Sequence, residues 1–96
     1  MIKIEFSKDS LLVSGHANFA PKGQDIVCAA VSALVTGSAE IWKDLPSVKI
    51  SIKENSYSFH FLEKDDKLAW ELKFLLSHLK IIASNYPRCV KFVWEG

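Results

Sequence analysis

Cysteine and histidine are the residues best suited to nucleophilic and base chemistry near neutral pH, and this chain places His16 and Cys28 on either side of a short irregular stretch. Asp25 stands immediately before a long apolar, small-residue segment that begins at Ile26, as an N-cap stands before a helix. Cys28 is then the third helical residue, close to the orphan N–H groups and the positive end of the helix dipole. Such a setting favours a thiolate, because it lowers a thiol from its free value of about 8.5 towards neutrality. The backbone N–H groups of Cys28 and Ala29 are expected to serve as an oxyanion hole for a tetrahedral intermediate. The chemistry indicated is acyl transfer through sulfur.

Each of these residues also has a plainer reading. A free cysteine is more often a small buried hydrophobe than a nucleophile. His16, at the end of a predicted strand, reaches Cys28 by a single chain reversal, yet histidines at strand ends are commonly surface residues. Asp25 can cap the helix through the N–H of Val27 or Cys28, or it can orient His16 as a third member of a triad. Ser32, four residues beyond Cys28, shares its helical face and either donates to sulfur or substrate or bonds back to the preceding turn. Cys89 has no helix terminus beside it and reads as a packing or surface residue, and His60 and His78 have no evident partner. No pair among His16, Cys28, His60, His78 and Cys89 has metal-ligand spacing on one element, so neither a metal nor any other cofactor is expected. Tyr57, Phe59 and Phe61, and likewise Trp70 and Phe74, are read as core.

The elements that must position these groups follow from periodicity. Ile2, Ile4 and Phe6 alternate with Lys3 and Glu5, and Ser7 to Ser10 turn into a second strand that ends at Gly15, delivering His16. A helix from Ile26 to about Trp42 ends before Pro46. Val48, Ile50 and Ile52 pair with Tyr57, Phe59 and Phe61 across the turn Glu54 to Ser56. Leu68, Leu72, Leu75, Leu79, Ile82 and Tyr86 recur at intervals of three and four, a second helix that stops at Pro87. Val90, Phe92 and Trp94 form a last strand. The expected fold is α+β: a largely antiparallel five-stranded sheet with two helices on one face, in the order ββαββαβ, with strand order left open.

Composition narrows the classes further. The 96 residues suit one domain, and 49% hydrophobic with 24% charged residues is ordinary globular composition. Twelve basic and eleven acidic side chains give a net charge of +1 with no basic run, so nucleic acid is a poor partner. No stretch has the length of a membrane span or signal peptide, and a cytoplasmic location with reduced thiols is expected.

The stretch GHANFAPKGQDIVCAAVSAL resembles the signature of the ribosomal-processing cysteine protease family, Prp. Gly15, His16, Ala17, Asp25, Ile26, Val27, Cys28, Ala29, Ala30, Val31 and Ser32 match it, and the connecting length matches as well. The resemblance implies Cys28 as nucleophile and His16 as general base, with Asp25 and Ser32 as supporting polar groups. It also implies a mobile substrate loop made of Ala17, Asn18, Phe19, Ala20, Pro21, Lys22, Gly23 and Gln24. The implied substrate is the N-terminal extension of a bacterial large-subunit ribosomal protein, number twenty-seven, cut after an aromatic residue by a homodimeric enzyme. Two rivals are a noncatalytic ribosome-associated module that grips the same peptide, and a redox-sensing thiol protein.

Overall fold

The computed structural model describes residues 1–16, 20, 21 and 25–95. Its elements are β1 (Ile2–Phe6), β2 (Ser10–Gly15), α1 (Ile26–Trp42), β3 (Val48–Lys53), β4 (Ser56–Phe61), α2 (Asp66–Asn85) and β5 (Val90–Trp94). The order is the expected ββαββαβ.

The strands form one sheet in the order β3-β4-β2-β1-β5. Three of the pairings are antiparallel, and β1 runs parallel to β5 with Ile2 opposite Val90 and Phe6 opposite Trp94. Ser7 closes the first hairpin, its N–H donating to the Ser10 carbonyl at 2.9 Å. A parallel neighbour cannot be reached by a tight turn, so α2 carries the chain from β4 past β2 and β1 to the far edge.

Alternation gives the sheet one apolar face. Ile2, Ile4, Leu11, Val13, Val48, Phe59, Phe61 and Val90 are all buried and share a single core with residues from both helices. From α1 the stripe Val27, Val31, Val35, Ala39 and Trp42 enters it, and from α2 the stripe Leu68, Leu72, Leu75, Leu76 and Leu79. Trp42 meets Phe59 and Phe61 edge-on, each at 5.5 Å between ring centroids. Full burial of side chains of this size is worth about 1.5–3 kcal/mol each, which makes this layer the main stabiliser of the fold.

Two expectations about the aromatic residues are corrected. Trp70 and Phe74 are 64% and 61% exposed, because the leucine stripe fills the inward face of α2 and they lie to one side of it. Tyr57 is only half-buried, unlike Phe59 and Phe61 on the same strand. Trp94 is also largely exposed, its ring resting on Phe6 at 4.8 Å rather than entering the core.

Candidate active site

Asp25 caps α1. Its backbone is extended, with φ −81° and ψ 99°, and its Oδ1 accepts the N–H of Val27 at 3.0 Å and that of Cys28 at 2.9 Å. A carboxylate here also complements the helix dipole. The Ala29 N–H donates to the Asp25 carbonyl at 3.1 Å, the first bond of the helix ladder. The N–H groups of Cys28 and Ala29, expected to form the oxyanion hole, are thus both engaged by Asp25. The residue that starts the helix also takes the donors that the start exposes.

His16 is placed by two constraints at the end of β2. Gly15 has φ +92°, a conformation that side chains rarely adopt, and an added Cβ there would collide with the Met1 carbonyl oxygen. The Gly15 N–H donates to the Asn55 carbonyl at 3.0 Å, which ties the end of β2 to the β3–β4 turn. The following residue, exposed His16, is therefore presented beyond a fixed point of the sheet.

His16 and Cys28 line one cavity of about 160 Å³. Gly15 and His16 approach it from β2, Cys28 and Ser32 from α1, and Glu54, Asn55 and Tyr57 from the β3–β4 hairpin. Cys28 is partly buried against the core yet opens on this cavity. The space is below the 300–1,000 Å³ usual for small-molecule sites. Of the expected loop, Ala20 is half-buried and Pro21 exposed, while Ala17, Asn18, Phe19, Lys22, Gly23 and Gln24 lie outside the described residues.

Ser32 joins the cavity as its position one turn beyond Cys28 requires, with its Oγ 3.4 Å from the Tyr57 hydroxyl. Thr36, a further turn along, donates to that hydroxyl at 3.2 Å. The two bonds, that of Ser32 first, hold the Tyr57 phenol below its ordinary range, against the opposing effect of partial burial. Tyr57, Glu54 and Asn55 were not foreseen as site residues. Tyr57 shares its alternation with two core phenylalanines, and only its hydroxyl, which a core position would have to satisfy, marked it as different.

The other candidates stay apart from this cavity. Cys89 packs beside the core with its N–H on the Tyr86 carbonyl at 2.9 Å. His78 Nδ1 meets the Phe74 carbonyl at 2.8 Å, and His60 is exposed on β4. Among the described residues no three His, Cys, Asp or Glu side chains converge as a metal site requires. Nor is any described helix long and apolar enough to cross a membrane.

A partly buried thiol at a helix start thus shares a cleft with an exposed imidazole. The family model described as cysteine protease Prp matches residues 1–91. The chain belongs to the cysteine protease Prp family. It is 38% identical over 94 residues to the ribosomal processing cysteine protease Prp of Mycoplasma pneumoniae, covering 96% of this chain and 93% of that one. The Bacillus subtilis protein of the same name is 59% identical over 29 residues, 30% of this chain and 26% of its own. The S. aureus Prp, solved with a covalently linked product peptide, superposes with a TM-score of 0.89 at 23% identity, over 99% of this chain and 100% of that one. This last likeness supports the α+β fold, and the family match makes the chain a Prp-type cysteine protease.

Proposed function

We propose that this cysteine protease is an endopeptidase that removes the N-terminal extension of bacterial large-subunit ribosomal protein number twenty-seven, with Cys28 as nucleophile and His16 as general base. The observation that carries the assignment is the shared cavity, into which β2 delivers His16 and the first turn of α1 delivers Cys28. Relatives named for ribosomal processing support a ribosomal-protein substrate, and the choice of this extension rests on the resemblance of the His16 to Ser32 stretch.

Peptide binding brings the imidazole of His16 to the thiol of Cys28, so that the reacting groups meet in one geometry. The Cys28 thiolate adds to the scissile carbonyl, and the tetrahedral intermediate collapses as the imidazolium of His16 protonates the departing amine. Water, deprotonated by the same imidazole, then attacks the thioester and releases the acid, regenerating the thiol. Asp25 supports this site by holding the start of α1 in place.

The protein acts in the cytoplasm, where its substrate is made, and as a homodimer. Exposed Ile41, Trp70 and Phe74 border one groove between α1 and α2 and support self-association, which sedimentation tests.

Mass analysis of an extension peptide after incubation with the protein is the deciding experiment. Wild type should yield two fragments, Cys28→Ala none with its fold retained, and Cys89→Ala both. Undiminished turnover by Cys28→Ala would refute the mechanism, and an uncut but tightly held peptide would identify a binding module instead.

A further inference from the structure

The face of α1 that carries Cys28 continues through Ser32 and Thr36 at successive turns, beside the buried valine stripe. All three are partly or fully exposed at the margin of the core, and Tyr57 from β4 lies across the two hydroxyls. The Thr36 bond has a direction, whereas that between Ser32 and Tyr57 can run either way. Thr36 Oγ1 donates to the Tyr57 oxygen at 3.2 Å, so the phenol must place its own proton elsewhere. Ser32 Oγ, at 3.4 Å, is the acceptor within reach among the described residues. With Tyr57 donating to it, Ser32 keeps its own proton for the cavity it lines together with Cys28 and His16.

We infer that Tyr57 is a positioning residue of the protease, which, held by Thr36, aims the Ser32 hydroxyl proton into the Cys28 cavity as a donor to the developing oxyanion. The need for such a donor follows from the helix start, where Asp25 engages the N–H groups of Cys28 and Ala29. Hydroxyls in line polarise one another, so a phenol whose proton is drawn towards Ser32 leaves the serine proton the more acidic. The inference rests on the proposed roles of Cys28 and His16.

Steady-state cleavage of the extension peptide by Tyr57→Phe, Ser32→Ala, the double variant, Thr36→Val and Thr36→Ser tests it. Loss of an oxyanion donor lowers kcat by about 10²–10³-fold, and this is expected for Ser32→Ala. Tyr57→Phe keeps the ring and should lower kcat about tenfold with KM within about twofold, a loss confined to the transition state. The double variant should be no slower than Ser32→Ala, because the phenol acts through the serine. Thr36→Val should fall in the direction of Tyr57→Phe, and Thr36→Ser should restore the rate. Wild-type kcat in Tyr57→Phe, or losses that multiply in the double variant, would overturn the inference while leaving the protease assignment intact. Absence of any Cys28-dependent cleavage by wild type would overturn both.

Discussion

Asp25 offers the sharpest separation between a structural and a catalytic carboxylate. One of its oxygens accepts two backbone N–H groups at 3.0 and 2.9 Å, so Asp25→Ala strands two donors at the start of a 17-residue helix. Loss of an N-cap costs about 0.5–2 kcal/mol, and loss of the charge at the dipole a further 0.3–1 kcal/mol or so. A total of about 1–3 kcal/mol lowers the melting temperature by roughly 4–8 °C per kcal/mol in a domain of this size. Asp25→Asn keeps an acceptor for the two N–H groups and removes the charge at the dipole, so the helix start should lose less than about 1 kcal/mol. The two functions part company in kinetics. Replacement of a triad carboxylate by its amide lowers kcat by about 10⁴-fold, whereas a residue that only holds the helix end should cost Asp25→Asn less than about tenfold. Thermal unfolding of both variants and kcat on the extension peptide measure the two effects separately. An Asp25→Asn protein with wild-type stability and a thousandfold loss of kcat would refute the capping assignment of its function, and an Asp25→Ala protein as stable as wild type would refute the energetics.

Gly15→Ala forces a side chain into a positive-φ position against the Met1 carbonyl, and denaturant unfolding should show a loss of about 1–3 kcal/mol, with cleavage reduced as His16 is displaced. The depressed Tyr57 phenol gives a pH signature: between its folded value and about 10 the unfolded chain binds more protons, so stability contributed by the phenolate is complete above pH 10 and is lost as pH falls through the folded value. Unfolding free energies of wild type minus Tyr57→Phe should therefore rise with pH in that window, and a flat difference would contradict the two hydroxyl bonds. Trp70→Ser with Phe74→Ser should change unfolding free energy by less than about 1 kcal/mol, since both side chains are mostly exposed, while Leu75→Ala, from the buried stripe beside them, should cost about 2–5 kcal/mol. The same double variant should shift sedimentation towards monomer.

The element order was legible because each segment carries its own local signal. Lys3 and Glu5 alternate with apolar neighbours, Asp25 stands as a cap before the first helical run, and Pro46 and Pro87 follow the helices they end. Strand order was not legible, since the parallel seating of β5 beside β1 depends on where α2 comes to rest and not on any property of Val90 to Trp94 alone. Trp70 and Phe74 misled because aromatic character suggests burial, whereas position on the helix decides it, and the leucines had already taken the inward face. In the site, the residue types singled out Cys28, His16 and Ser32, which line one cavity, but the place of Tyr57 is a strand-to-helix relation that sets position 57 over positions 32 and 36. The engagement of the Cys28 and Ala29 N–H groups followed from Asp25 being a cap, a consequence that residue types alone expressed only as one of two alternatives.

The site joins two groups whose positions are fixed independently. His16 follows a glycine whose backbone leaves no room for a side chain beside the Met1 carbonyl and whose N–H donates to the Asn55 carbonyl in the β3–β4 turn. Cys28 follows a cap that holds the first turn of α1, and α1 is in turn fixed by its valine stripe in the core. The cost of this arrangement is borne at the helix start, where secure capping engages the very donors that acyl transfer would use. A hydroxyl one turn further along, backed by a phenol from the opposite layer, answers that requirement without loosening the cap.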